Sequence, residues 1–203
     1  LGGVISLSEK IGKTYTKESR ISAIDTDKRM INIGSGDTVI NTTSYTQISK
    51  LFGYPTSLQY RGVILVFLEI DTISVFPEGI DFVYIDDPEV YFNRVSDQNS
   101  FVKDKNEEST IICCEITYSQ SDQYDLMGEG QLIEKVKKQF VDLYFCKDEQ
   151  IIDSKVIKLP EVYPMFFLGY QKALAEIKEK VDSIGNMYTL GSLAEYAYSD
   201  LQV

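Results

Sequence analysis

The chain has no histidine and no tryptophan, and only 3 cysteines and 5 prolines in 203 residues. Without histidine, these residues lack the commonest general base and the commonest transition-metal ligand for any chemistry they perform alone. Cys113, Cys114 and Cys146 are an odd set without metal-ligand spacing, and sequence neighbours rarely bridge each other. They predict buried, inert thiols of a reducing compartment. Basic residues are also scarce, 20 against 31 acidic ones, which gives a net charge of −11 and a pI near 4.5. That balance argues against nucleic acid or an anionic membrane as partner, since both need clustered Lys and Arg. No apolar run approaches the roughly 20 residues of a membrane helix. The longest, Val63 to Leu68, is strand-sized, and no basic-then-apolar leader is present. Together these absences predict a cytoplasmic protein that does not insert into membranes.

Hydrophobic content of 43% and a mean hydropathy of −0.14 are ordinary for one or two globular domains. The spacing of Val4, Ile5, Leu7 and Ile11 predicts a short helix over 4–12. Arg20 to Asp25 and Met30 to Ile33 flank a polar turn and predict a β-hairpin, followed by a third β run from Thr38 to Asn41. Ser44 can cap a helix reaching Phe52. Further β runs are Leu58 to Ile70, Ile80 to Ile85, Glu89 to Val95, Ser109 to Tyr118, and Ile151 to Leu159, the last ended by Pro160 and Pro164. Residues 98–108 read as a loop. Leu132, Val136, Phe140 and Leu143 predict a helix over 129–145, and Tyr170, Leu174, Ile177 and Val181 one over 167–183. This order predicts an α+β fold: a mostly antiparallel or mixed sheet with helices on one face.

Two glycine pairs, Gly34-x-Gly36 and Gly128-x-Gly130, do not complete a dinucleotide fingerprint and read as turns. Asp86-Asp87 and the group Asp122, Asp125, Glu129 lack calcium-loop spacing and read as solvated loop acids. No metal site and no catalytic residue is predicted. The 14 tyrosines stand out beside the missing tryptophan. Several tyrosines around one cavity suit a sugar or diphosphate ligand, although core packing is the default for any single one.

The most informative segment is Asn186 to Asp200, a short β-prone run, a glycine, then a stretch rich in tyrosine and acid. A strand feeding a glycine turn brings backbone close to a phosphate or a flat ring. The segment resembles the C-terminal flavin-contacting motif of UDP-galactopyranose mutases and of the wider amine oxidase and protoporphyrinogen oxidase-like flavoproteins. Gly191, Leu193, Ala194, Glu195, Tyr196, Tyr198 and Asp200 match in register, with Ser192 in place of an arginine and Leu201 in place of a methionine. Five other pieces resemble the same group in the same order: Leu1-Gly2-Gly3, Asp37 to Thr42, Leu58-Gln59-Tyr60-Arg61, Tyr84 to Pro88 with Phe92-x-Arg94-Val95, and Glu161-Val162-Tyr163-Pro164.

The resemblance implies FAD in a full-length parent. It also implies a C-terminal piece of an FAD-binding Rossmann-like domain beside the substrate-binding sheet. Residues 1–57 would be the returning segment of the FAD domain, 58–165 the substrate-binding domain, and 166–203 the long helix and flavin-contacting strand-turn. Gly191, Ser192, Asp200, Leu201 and Gln202 would contact the cofactor. Tyr60, Arg61, Arg94, Tyr163 and Tyr198 would face a small-molecule substrate, an amine or a sugar nucleotide. The N-terminal Gly-rich βαβ unit that grips FAD pyrophosphate is missing. With no initiator methionine at Leu1, the expectation is a fragment that is inactive and flavin-free by itself. The mutase arginine facing the substrate diphosphate has its nearest counterpart in Thr110 to Glu115, which supplies no cation for the phosphates. Three readings stay open: part of an amine oxidase-like oxidoreductase, part of a mutase-like sugar isomerase, and a non-catalytic β-rich binding module.

Overall fold

A computed structural model describes residues 24–25, 30–31, 38–102 and 108–198, apart from the side chains of Ile24, Asp25, Met30, Ile31 and Leu51. The predicted helix over 4–12, the Gly34-x-Gly36 turn, and Asp200, Leu201 and Gln202 lie outside the described residues. Two compact units are present, one formed by Arg61–Pro160, the other by the described residues up to Tyr60 and from Glu161 onward. The chain passes between them inside two strands.

The first unit is built on a five-stranded sheet. Its strands are β4 (Tyr60–Ile70), β5 (Phe82–Tyr84), β6 (Arg94–Asp97), β7 (Thr110–Tyr118) and β8 (Ile151–Pro164), in the order β5-β6-β7-β4-β8. The registers β5–β6, β6–β7 and β4–β7 are antiparallel. β8 also runs against β4, since Asp71 N–H reaches Gln150 C=O at one end and Gly62 abuts the Leu159 carbonyl at the other. The sequence of β4 explains its place in the middle: apolar residues occupy both faces, as a doubly covered strand requires. Ile64, Val66, Leu68 and Ile70 on one face, with Ile112, Cys114 and Ile116 of β7, are fully buried. A helix, α3 (Glu129–Asp142), presents Leu132, Val136 and Phe140 to the same core; this i, i+4 stripe is its only fully buried line. Each such side chain contributes about 1.5–3 kcal/mol by burial.

The second unit holds β3 (Val39–Asn41), α1 (Tyr45–Phe52), α4 (Tyr170–Asp182) and β9 (Met187–Thr189). β3 and β9 pair in parallel, Val39 with Met187 through Asn41 with Thr189. A separate core gathers Tyr45, Ile48, Leu58, Tyr60, Ile177, Val181, Met187 and Tyr196. Ser44 caps α1 as the sequence indicates, its hydroxyl accepting the Gln47 N–H at 3.3 Å. Two short strands, β1 (Ile24–Asp25) and β2 (Met30–Ile31), pair antiparallel where the hairpin was predicted. The remaining short helix, α2 (Gln123–Leu126), precedes α3.

Several boundaries differ from the sequence reading, three of them for a physical reason. β8 continues through Pro160 to Pro164, because it is the outer strand, where a missing N–H removes at most one ladder bond. β6 starts at Arg94 rather than Glu89: Asp87 Oδ1 accepts the Glu89 N–H at 2.9 Å and its carbonyl the Val90 N–H, so 87–90 form a turn. α3 ends at Asp142, three residues early, where Tyr144 takes a positive φ of 63° and Phe145 folds back to stack on Phe140.

Candidate functional site

In the first unit, the sheet face opposite α3 carries the candidate side chains. β6 and β7 place Arg94 directly opposite Glu115, and β5 places Tyr84 opposite Arg94. Arg94 donates from Nε at 2.7 Å and from Nη2 at 2.5 Å to the same Glu115 oxygen. The cation the sequence offered for an anionic substrate is therefore held by an acid on the next strand. Cys113 lies two residues along β7, buried, and burial pushes its thiol up to about 12, the nearby Glu115 charge adding to the effect. Arg61 is exposed at the start of β4.

Elsewhere in this unit a groove of about 600 Å³ is lined by Ile73, Phe76, Ile80, Glu78, Asp81 and Asp97 among others. Nothing in the sequence pointed to it. Asp97, almost fully buried, accepts the Thr110 hydroxyl at 2.5 Å, the Asn99 N–H at 3.0 Å and the Ser74 hydroxyl at 3.2 Å. Those donors satisfy its carboxylate, so it serves as a structural knot between strands and turn.

In the second unit the parallel strands β3 and β9 end at the same side, where open α/β sheets place ligands. β9 runs into Leu190, whose N–H reaches the Asn41 carbonyl at 2.9 Å, and then into Gly191. Gly191 has φ +98°, which an L side chain rarely adopts, and an added Cβ would meet nothing within 4 Å. Gly191 and Ser192 are exposed, and two bonds close the following turn: Glu195 N–H to Gly191 C=O, and Ala197 N–H to Ser192 C=O. Thr189 Oγ1 is buried with no hydrogen-bond partner among the described residues.

The loop after β3 is closed in a different way. Asn41 Oδ1 accepts the N–H and hydroxyl of Thr43 at 3.0 and 2.7 Å, which turns the chain into α1. The carboxylate of Glu161 sits at the α1 N-terminus, where it accepts the Ser44 hydroxyl, the Thr46 hydroxyl at 2.6 Å and the Gln47 amide at 3.2 Å. An acid at a helix N-terminus is stabilised by the unpaired N–H groups and the dipole there. The sequence reading missed this cluster, because its partners lie more than 100 positions apart.

The tyrosines divide by burial. Tyr60 is in the core; its hydroxyl accepts the Tyr45 N–H at 3.1 Å and donates to the Leu193 carbonyl at 3.1 Å. Burial raises its phenol well above the usual range. Tyr196 is 2% exposed, packs edge-on against Tyr60 at 5.1 Å, and its hydroxyl lies 2.9 Å from the Gln59 carbonyl and 2.6 Å from that of Met165. Tyr163 and Tyr198 are neighbours, ring centroids 6.1 Å apart and tilted by 39°, with Tyr198 75% exposed. Of the predicted residues in this unit, the fold thus brings Tyr163 to Tyr198 and Gly191 to Ser192, and buries Tyr60 apart from solvent. No cluster of metal-ligating side chains occurs among the described residues, and no described helix is long and apolar enough to cross a membrane.

No known family profile matches the chain, and no curated protein matches it in sequence. Solved structures do. Reduced UDP-galactopyranose mutase is similar over 83% of this chain and 38% of its own, with a TM-score of 0.67 and 15% identity. A provisionally assigned protoporphyrinogen oxidase from Exiguobacterium sp. 255-15 is similar over 77% of this chain and 36% of its own, with a TM-score of 0.56 and 11% identity. The likeness shows a shared fold. The chain spans little more than a third of the length of either structure.

Proposed function

We propose that the chain is the substrate-facing portion of a cytoplasmic FAD-dependent oxidoreductase of the amine oxidase type. In this reading 58–165 form the substrate domain, 1–57 and 166–203 belong to a Rossmann-like FAD domain, and these residues alone neither hold flavin nor turn over substrate. One observation carries the reading: the parallel pair β3–β9 ends in an open glycine turn at Gly191, inside a fold shared with the two solved structures. A two-stranded parallel sheet is not a stable unit in water. Ile40, Tyr188 and Leu190 on and beside it are 53%, 64% and 59% exposed. Both points favour a pair that belongs to a larger sheet.

The residues present fit one side of an FAD site. Gly191 and Ser192 offer exposed backbone and a hydroxyl, Thr189 an unsatisfied one, and Asp200, Leu201 and Gln202 follow in sequence. The α1 N-terminus does not fit the pyrophosphate, because Glu161 already holds it. When bound, the flavin would supply the two-electron chemistry. The chain's own part is to offer a small substrate the neighbouring rings of Tyr163 and Tyr198 in the second unit, with Arg61 and the Glu115-paired Arg94 as separate candidates in the first.

A sugar-nucleotide isomerase, as the mutase likeness would suggest, is the second reading. Two phosphate charges need uncommitted cations, and the pairing of Arg94 with Glu115 favours the oxidase instead. The protein expressed from its complete reading frame tests both. Yellow protein bleached by an amine supports the oxidase; activity only after chemical reduction supports the isomerase. Colourless protein from the complete frame would leave a non-catalytic module.

A further inference from the structure

β8 is the outer strand of the five-stranded sheet, and among the described residues no strand pairs with its free edge. It is 14 residues long, more than twice the usual length, and exposes Ile152, Ile157 and Leu159 at 57%, 37% and 40%. A long edge strand with exposed apolar side chains is a template for another strand. What fits it can be read from its own sequence, Ile151-Ile152-Asp153-Ser154-Lys155-Val156-Ile157. We infer that two copies of this chain associate by pairing β8 with β8, antiparallel about a two-fold axis at Ser154, in one continuous sheet.

The register follows from charge and parity. A two-fold axis normal to the sheet keeps the helix-bearing faces of both copies on one side, so paired residues must point the same way. Centred on Ser154, Asp153 of each copy lies opposite Lys155 of the other, Ile151 opposite Ile157, and Ile152 opposite Val156. Opposite charges and β-branched pairs are the favourable cross-strand combinations. A shift of centre to Asp153 sets acid against acid, and a shift to Lys155 sets base against base. Asp153 and Lys155 are both exposed, and no ion pair of this chain engages either among the described residues. The net charge of −11 on each copy opposes association at low salt. At about 0.15 M ionic strength the screening length is roughly 8 Å, so repulsion beyond the contacting strands is largely screened.

Sedimentation equilibrium of the 203-residue chain at physiological ionic strength tests this. The parent should show a concentration-dependent dimer. Lys155→Asp, or Asp153→Lys, turns two attractive contacts into two repulsive ones and should weaken the dimer roughly tenfold or more. The double exchange of both residues should restore it. Circular dichroism melts confirm that each variant folds, as expected at exposed positions. Independently, Ser154→Cys should oxidise to a covalent dimer, because directly opposed strand residues lie about 4.5–5.5 Å apart, within disulfide range. A monomeric parent at every concentration overturns the inference. So does a dimer indifferent to the single reversals, or a double exchange that stays dissociated. The inference does not rest on the flavin reading.

Discussion

Tyr60→Phe separates a fold-holding hydroxyl from a ligand-facing one. The tyrosine hydroxyl accepts the first N–H of α1, from Tyr45, and donates to the Leu193 carbonyl in the second core. Tyr45 is 1% exposed, so without the hydroxyl its N–H has no access to water. Leaving such a donor unsatisfied costs about 1–3 kcal/mol. The Leu193 carbonyl is only half-buried, and recovers part of its loss from water, adding about 0.5–1 kcal/mol. The ring itself remains and keeps its edge contact with Tyr196. The sum is a destabilisation of roughly 1.5–4 kcal/mol, which for a unit of about 100 residues lowers Tm by about 6 °C or more. Urea denaturation followed by far-UV circular dichroism and tyrosine fluorescence measures it. A loss below about 0.5 kcal/mol would refute the argument, since a buried N–H cannot lose its partner that cheaply.

Other perturbations probe separate links. Gly62→Ala places a Cβ 2.3 Å from the Tyr118 ring and 2.7 Å from the Leu159 carbonyl oxygen, and a backbone oxygen in a sheet cannot yield, so a loss of about 1–3 kcal/mol or more is expected in thermal melts. Gly191→Ala meets no atom, and should cost about 1–2 kcal/mol through its positive φ alone. Burial raises all three thiols, Cys113 to about 12, so at pH 8 iodoacetamide followed by mass spectrometry should find Cys113 and Cys114 unmodified until the chain is denatured, with the half-buried Cys146 reacting first. Burial likewise raises the phenols of Tyr45, to about 12, and of Tyr60 and Tyr196. The unfolded chain then sheds these protons first, so stability is full below pH 10 and falls as pH rises from 10 towards 12; equilibrium denaturation across that range should show it, and a flat profile would contradict the burial argument.

Long, strongly periodic segments were legible in the sequence. The Leu132-Val136-Phe140 stripe marked α3, and the unbroken Val63–Leu68 run marked a long strand. Ser44 announced its helix because a cap is a local interaction, complete within four residues. What failed was non-local. Pro160 reads as a strand breaker unless one knows that β8 is outermost. Phe145 extends the apolar pattern of α3, yet belongs to a return that only its stacking on Phe140 reveals. Glu161 fell past the predicted end of its strand, and its role at the α1 N-terminus depends on partners 114 to 117 positions away. Arg94 looked like an available cation until the register set Glu115 beside it.

The tail segment shows why a motif resemblance needs burial to be read. Its matched and described residues fall into two sets, with Leu193, partly buried against the second core, between them. Ala194 and Tyr196 are 0% and 2% exposed, and Tyr196 ties the turn to the Gln59 and Met165 carbonyls while holding a positive φ of 55°. Such strain in a bulky residue persists only where surrounding contacts over-determine it, and the ring contacts with Tyr60, Phe166 and Tyr170 do so. Agreement at these two positions therefore reports a shared fold, and would be found whether or not a ligand binds. Gly191, Glu195 and Tyr198 face outward, where no packing demands their identity. Evidence for a binding role in the described part of the motif thus rests on these three residues, and the loss of arginine at Ser192 falls in the same exposed set. The fold reading consequently stands on the buried half of the tail, and the flavin reading on the exposed half. On the flavin reading proposed above, substitutions in that exposed half should change the flavin content of the protein expressed from its complete reading frame without changing the stability of this chain, Gly191 excepted because of its backbone.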